Sequence, residues 1–350
     1  MIRLMIVDDS ETVIELLTYS FATESDIEVV GIAKDGREAV KMVKELKPNI
    51  ILMDINMPNL NGYEASEIIM NESPTPILLM SATWDIKEVE KILESMHIGV
   101  LGVYEKPYGL RHPKYKELYD RIVADIRVLS DVKVIRRFNT NLKKQELNFK
   151  PIENVKCVNN YGVVLIGAST GGPPVLHTIL KTLSADYPLP ILVAQHMSKE
   201  FIDTFIQWLN GECKVHVKEA EDGEKISAGN VYIAPANYHL SLSNKRIKLL
   251  KAEASDLYVP SVSKLFSSVS QANASETIAI LLSGMGNDGS EEITKLKLAG
   301  AITIAQNKET SVVFGMANEA IKKNGIEFIL SPEGIAEFLL TIKINNRGII

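Results

Sequence analysis

Short apolar runs alternate with longer amphipathic stretches through the first third of the chain. Residues 4–7, 27–33, 50–53, 77–80 and 100–104 are apolar runs bounded by turn formers, the pattern of strands buried on both faces. Between them, residues 11–22, 37–47, 62–70 and 85–96 carry apolar side chains at helical spacing, as with Val13, Leu16, Leu17 and Tyr19. A further helix at 114–129 closes the set. Five strands alternating with helices predict a parallel sheet covered on both faces, where functional residues gather at the carboxyl ends of the strands.

The alternation resumes near Tyr161. Strands are expected at 163–166, 191–194, 214–217, 231–234, 277–282 and 301–305, with a hairpin pair at 240–243 and 247–250. Helices are expected at 174–183, 199–209, 261–271, 289–299 and 312–323. Pro173 and Pro174 suit a first helical turn, where the missing N–H has no intrahelical partner to lose. The fold class is thus α/β with two domains: a five-stranded parallel sheet over 1–125 and a doubly wound, mostly parallel sheet with a β-hairpin over 161–345. Residues 126–160 read as a solvated linker, since 132–150 holds six Lys or Arg against one Glu and few core-forming runs.

A length of 350 residues accommodates two such cores, and 46% hydrophobic with 23% charged residues describes an ordinary globular composition. A net charge of −6 gives no reason to expect nucleic acid or an anionic membrane surface as partner. Cys157 and Cys213 are the two cysteines, in no metal-binding or redox spacing, so no disulfide framework or zinc site is expected. No apolar stretch approaches a membrane span and residues 1–3 lead straight into a strand, so the expectation is a cytoplasmic protein without membrane insertion.

Chemistry enters where the strands end. Gly167-Ala168-Ser169-Thr170-Gly171 follows an apolar run and fits the G-x-S-x-G elbow, in which a sharp strand-to-helix turn presents a serine and the following helix start offers free N–H groups. A serine hydroxyl needs a base, and the base needs an acid to orient it. His196 ends the run 190–195 on the same rim, and Asp288 follows the strand at 277–282 and the loop 283–287. His239, opening a hairpin strand, is the second choice of base and reads as a substrate-side or structural residue. His97, His112, His177 and His216 lack strand-end settings. The glycines fit neither a dinucleotide fingerprint nor a P-loop, and the order Ser, His, Asp differs from that of α/β-hydrolases.

The first sheet has a rim of its own. Asp8 and Asp9 end its first strand, Asp54 the third, Ser81 the fourth and Lys106 the fifth. Three carboxylates and a lysine at one edge would hold a divalent cation through oxygen ligands and neutralise an arriving phosphoryl group.

Residues 1–125 resemble a response-regulator receiver domain, of flavodoxin-like topology. The resemblance implies Asp8 and Asp9 as the acidic metal pair, Asp54 in Leu52-Met53-Asp54-Ile55-Asn56-Met57-Pro58 as phosphoacceptor, and the Asn56 carbonyl completing the shell of Mg²⁺. Ser81 would be the switch hydroxyl and Lys106, before a cis-prone Pro107, the phosphate-pairing lysine. Val103 stands where that family often has a rotating aromatic, with Tyr104 beside it.

The whole chain resembles the chemotaxis protein-glutamate methylesterase and glutamine deamidase family, CheB. The resemblance rests on residues 166–172, Gln195-His196-Met197, Ala234-Pro235-Ala236 with His239, Ser283-Gly284-Met285-Gly286-Asn287-Asp288-Gly289, and Val313-Phe314-Gly315-Met316. It implies Ser169 as nucleophile, His196 as base and acid, Asp288 as orienting carboxylate, and an oxyanion site from the Met285 N–H with help near Thr170 or His196. It also implies chemoreceptor methyl esters and glutamines as substrates and a chemotaxis histidine kinase as phosphodonor. The receiver would cover the esterase cleft until Asp54 is phosphorylated, and the esterase site would need no cofactor. A protein that docks on receptors without turnover is the alternative. One departure is the run Leu257-Tyr258-Val259-Pro260-Ser261-Val262-Ser263, where many members carry Gly-His-Arg-Pro-Ser-Val-Asp.

Overall fold

A computed structural model describes residues 1–82, 86–132, 134, 162–197, 199–253, 255–269 and 271–342. The chain divides into two compact units, Met1–Leu142 and Lys143–Ile350. Most of the expected linker, with Cys157, lies outside the described residues, as does the His97 side chain.

The first unit is a five-stranded parallel sheet in the order β2-β1-β3-β4-β5: β1 Ile2–Val7, β2 Ile27–Ala33, β3 Ile50–Asp54, β4 Ile77–Ser81 and β5 Gly102–Glu105. This is the flavodoxin-like order. The central strands β3 and β4 are buried at every residue, which is why they read as continuous apolar runs. Helices α1 Glu11–Phe21, α2 Gly36–Leu46, α3 Gly62–Glu72, α4 Ile86–Ile98 and α5 Tyr115–Leu129 connect or follow the strands. Their ends are set locally. The Asp35 side chain caps α2 by accepting the Glu38 N–H, and Asn61 with Glu64 forms a reciprocal capping box on α3. Helix α5 continues past residue 125, with Ile126 and Leu129 both buried.

The second unit carries a seven-stranded parallel sheet in the order β14-β13-β12-β6-β7-β9-β8. Its strands are β6 Val163–Ala168, β7 Ile191–Gln195, β8 His216–Glu219, β9 Asn230–Ile233, β12 Thr277–Leu281, β13 Ile302–Gln306 and β14 Phe328–Leu330. An antiparallel hairpin, β10 Tyr238–Ser243 with β11 Arg246–Lys251, forms a separate two-stranded sheet. The helices are α6 Gly172–Leu180, α7 Lys199–Glu212, α8 Val262–Ser267, α9 Ser290–Leu298, α10 Met316–Lys322 and α11 Pro332–Leu340. Leu165, Leu192, Tyr232, Phe266 and Leu281 meet in one core under the hairpin and α8.

Two expected helices change and two further elements appear. The helix expected at 261–271 stops at Ser267 and is followed by a 3-10 turn at Gln271–Glu276. Ser267 and Ser268 hydroxyls donate to the Ser263 and Leu265 carbonyls, 2.6 Å each, competing with the helical ladder. The helix expected from 312 begins at Met316, because Phe314 is taken up in a β-bridge to Gly284: Gly284 N–H donates to Val313 O and Gly315 N–H to Gly284 O, both 3.0 Å. Strand β14 and helix α11 were not anticipated.

Candidate functional site

Strand β6 is where the second sheet changes direction, with β7, β9 and β8 built to one side and β12, β13 and β14 to the other. Crevices open outside the carboxyl ends of strands at such a switch point. Ser169 is the first residue beyond β6. Its N–H donates to Ser283 O at 3.0 Å, joining it to the loop after β12, and its carbonyl accepts the Gly172 N–H at 2.8 Å. Gly171 makes the turn at φ 77°, a left-handed conformation that glycine adopts without strain, and α6 starts at once.

His196 follows β7. Ala168 and Gln195 are paired in register, so Ser169 and His196 leave adjacent strands side by side, and the His196 N–H donates to Ala168 O at 2.9 Å. Gln195, 1% exposed, locks the pair: its Nε2 donates to Ser169 O at 3.0 Å and to His196 O at 2.9 Å. His196 Nε2 lies 2.9 Å from Asp288 Oδ2. The carboxylate thus engages the ring through Nε2 and leaves Nδ1 on the other side, the reverse of the usage in serine proteases.

Asp288 is 4% exposed and takes three further donors. Val262 N–H reaches Oδ2 at 2.7 Å, Ser263 N–H reaches Oδ1 at 2.8 Å, and the Ser261 hydroxyl reaches Oδ1 at 3.1 Å. Burial alone would push its carboxyl up; the His196 imidazole and the Ser263 bonds outweigh it and hold the carboxyl below the usual range. Ser263 Oγ also accepts the Gly289 N–H at 2.8 Å. Tyr258 stacks on His196, ring centroids 5.0 Å apart and planes within 7°. The run 257–263, noted for its departure from the family pattern, is thus the wall behind His196 and Asp288.

The loop after β12 presses on the serine. A Cβ at Gly284 would stand 2.7 Å from Ser169 Cβ, so only glycine lets this loop approach. The Ser283 hydroxyl ties three loops together, donating to Thr170 O at 2.7 Å and accepting the Val313 N–H at 3.1 Å. Met285 and Thr170 are half-buried at this junction, and neither N–H has a backbone acceptor among the described residues. His239 is not on the rim: it is fully buried, and its Nδ1 accepts the Ser261 N–H at 3.0 Å. That removes a substrate-side role for it.

In the first unit the strand-end acids also converge. Asp8 follows β1 and Asp54 ends β3, both fully buried, and one ligand oxygen each from Asp8, Asp9 and Asp54 lies within 4.8 Å of the others. Lys106 Nζ stands 2.8 Å from Asp54 Oδ2 and 3.1 Å from Asp8 Oδ2. Burial raises the Asp54 carboxyl to about 6, against the pull of Lys106, and raises Asp8 as well. Beyond the Lys106 ion pairs and the Asn56 backbone N–H near Asp54, Asp8 Oδ2 and the Asp54 oxygens are buried with no other hydrogen-bond partner among the described residues. Hard, buried, under-coordinated oxygens around excess negative charge fit a divalent cation such as Mg²⁺. Ser81 is buried at the end of β4, and its carbonyl accepts the Lys106 N–H at 2.8 Å. Asn56 is exposed in the loop after β3. Tyr104 points into the unit, bonded through its hydroxyl to Asp125 of α5, so it does not replace the aromatic missing at Val103. The Lys106–Pro107 bond is trans; the cis bond among the described residues is Val259–Pro260.

Two family patterns match the chain: CheB methylesterase over residues 164–339 and response regulator receiver domain over residues 4–113. Protein-glutamate methylesterase/protein-glutamine glutaminase 1 of Syntrophus aciditrophicus is 41% identical over 98% of this chain and 98% of its own length. The protein-glutamate methylesterase/protein-glutamine glutaminase of Nitrosospira multiformis is 39% identical over 99% of this chain and 98% of its own. Among solved structures, the Thermotoga maritima CheB methylesterase catalytic domain is 36% identical and superposes with a TM-score of 0.50, covering 53% of this chain and all (100%) of that one.

Proposed function

The chain belongs to the CheB methylesterase family and carries a response regulator receiver domain, and from that premise we propose that it hydrolyses glutamate γ-methyl esters on chemoreceptors and deamidates receptor glutamines. The observation that carries the reading is the His196–Asp288 pair at 2.9 Å, set on the strand adjacent to Ser169 and held by three donors from 261–263. His196 Nδ1 takes the Ser169 proton as Oγ attacks the ester carbonyl. Asp288 keeps the ring proton on Nε2 and balances the imidazolium that forms.

The oxyanion falls to the N–H groups of Met285 and Thr170, which have no backbone acceptor among the described residues to give up. The tetrahedral intermediate collapses to a γ-glutamyl ester on Ser169, and methanol leaves with the proton from His196. Water, deprotonated by the same imidazole, then releases glutamate and restores the hydroxyl. With a glutamine substrate the first leaving group is ammonia and the acyl-enzyme is the same.

Residues 1–125 act as the receiver, 126–160 as linker and 161–345 as the esterase. In the receiver, Asp8, Asp9, Asp54 and the Asn56 carbonyl would hold Mg²⁺, which when bound shields the charge of the incoming phosphoryl group. Asp54 accepts the phosphoryl from a histidine kinase, Lys106 pairs with it, and Ser81 reads it. Phosphorylation of Asp54 raises esterase activity.

Methanol release from methylated chemoreceptor membranes tests this, comparing the chain with Ser169→Ala and Asp54→Asn, each with and without a small-molecule phosphodonor and Mg²⁺. Release is expected to vanish in Ser169→Ala and to rise with phosphodonor only where Asp54 is present. No release from cognate receptors under any condition would favour a protein that docks without turnover.

A further inference from the structure

Behind Asp288 lies a second buried imidazole that the reaction does not use. His239, the second residue of β10, is 0% exposed. Its Nδ1 accepts the Ser261 N–H at 3.0 Å, so Nδ1 must present a lone pair and the ring proton sits on Nε2. Nε2 donates to Asp256 Oδ2 at 2.8 Å. The other Asp256 oxygen accepts Lys264 Nζ at 2.6 Å, and Oδ2 also accepts the Glu253 N–H at 2.8 Å. Those donors, the Glu253 N–H first and then Lys264 and His239, hold the Asp256 carboxyl well below the usual range and keep it an acceptor. Lys264 Nζ stands 3.0 Å from Nε2. Both are donors there, so the carboxylate they share is what holds them together.

The next two residues after Ser261 aim their N–H groups at Asp288, Val262 at 2.7 Å and Ser263 at 2.8 Å, while the Ser261 hydroxyl reaches the same carboxylate at 3.1 Å. Three consecutive N–H groups therefore divide between two acceptors. One goes to His239 and two go to Asp288. The direction of the peptide between Pro260 and Ser261 is set by His239, and that direction decides where the Asp288 donors point.

We propose that His239 is a positioning residue for the esterase reaction: in its Nε2–H tautomer, anchored by Asp256 and Lys264, it fixes the 261–263 turn that holds Asp288 against His196. This rests on the reading of Ser169, His196 and Asp288 as the reacting set. Loss of the Nδ1 acceptor leaves a buried N–H unpaired, and the turn relieves it by rotating away from Asp288.

The test uses the full-length chain with methylated receptor membranes and phosphodonor. His239→Gln removes the acceptor at the Nδ1 position, whereas His239→Asn places its carbonyl oxygen there. His239→Gln is expected to lower kcat about 10- to 100-fold with KM unchanged, and His239→Asn to recover most of that loss. A downfield imidazole N–H resonance, assigned to His196 by its disappearance in His196→Asn, should broaden or shift in His239→Gln and return in His239→Asn.

Wild-type kcat in His239→Gln, or equal losses in both variants with the His196 resonance intact, overturns the proposal. Should His239→Gln not fold, Asp256→Asn carries the test in the half-exposed loop: a lowered kcat at constant KM supports the relay and an unchanged kcat overturns it. Ser169→Ala run alongside separates the two levels, since activity surviving in that variant removes the reacting set itself rather than the role of His239.

Discussion

Asp288→Asn removes one charge and turns one acceptor into a donor, and the structure leaves no orientation free of conflict. Oδ2 faces Val262 N–H at 2.7 Å and His196 Nε2 at 2.9 Å, while Oδ1 faces Ser263 N–H at 2.8 Å and the Ser261 hydroxyl at 3.1 Å. Whichever position takes the amide NH₂, it meets a backbone donor. A buried donor left unpaired costs about 1–3 kcal/mol, which for a domain of this size lowers Tm by about 3–10 °C.

The catalytic loss is larger. With NH₂ on the Oδ2 side, His196 must carry its proton on Nδ1 and can no longer accept from Ser169. With NH₂ on the Oδ1 side the tautomer survives, but the imidazolium has no counter-charge. Either way kcat should fall about 10³- to 10⁴-fold with KM little changed, as when an orienting carboxylate is neutralised in other triads. Methanol release at saturating methylated receptor, alongside a thermal melt, reads both effects. A kcat within about tenfold of the unsubstituted chain would refute the reasoning.

Three further outcomes follow from particular contacts. Gly284→Ala puts a methyl 2.7 Å from Ser169 Cβ and 2.4 Å from Met316 Sδ; overpacking should cost about 1–3 kcal/mol in a melt and abolish most methanol release, and wild-type activity would mean the loop yields freely. Asp54 titrates at about 6 in the fold against 3.8 for a free carboxyl, so the native state holds the proton more tightly and stability falls as pH rises from about 4 to 6. Asp54→Asn should therefore stabilise the receiver unit above about pH 6, by about 1–2 kcal/mol after allowing for solvent screening, and leave it unchanged near pH 4. Melts showing the same difference at both pH values would contradict that. Tyr258→Leu removes the ring stacked on His196 and should lower kcat/KM about two- to fivefold through lost stabilisation of the imidazolium; a rise in kcat/KM would show that the ring hinders.

What the sequence disclosed was set by how local each signal is. Buried parallel strands such as β3 and β6 are unbroken apolar runs, and Ser169, His196, Asp8, Asp54 and Lys106 each sit at or just beyond a strand end, so strand ends, together with the G-x-S-x-G elbow at Ser169, made them legible. Strand β14 was missed because it is three residues long at the sheet edge and only partly buried. Helix α11 starts with a Ser331 cap and Pro332, a start signal that the sequence does carry. The departure of 257–263 from the family pattern was visible in sequence, but its part in holding Asp288 was not. Those residues lie about 25 positions before Asp288 in the chain, and only folding α8 onto β6 and α9 brings them together. Of the two roles the sequence leaves open for His239, substrate-side or structural, only the structural one fits its burial, which arises where the hairpin packs on α8.

The central claim is that Ser169 forms the covalent intermediate. The direct measurement is acid quenching of the phosphorylated chain turning over methylated receptor, followed by peptide mapping by mass spectrometry, with Ser169→Ala in parallel. The account expects a receptor-peptide adduct, lighter than the sum of its parts by one methanol, on the peptide containing Ser169, and neither adduct nor methanol from Ser169→Ala. Methanol release at the unsubstituted rate from Ser169→Ala, or an adduct mapped to another residue, would contradict it.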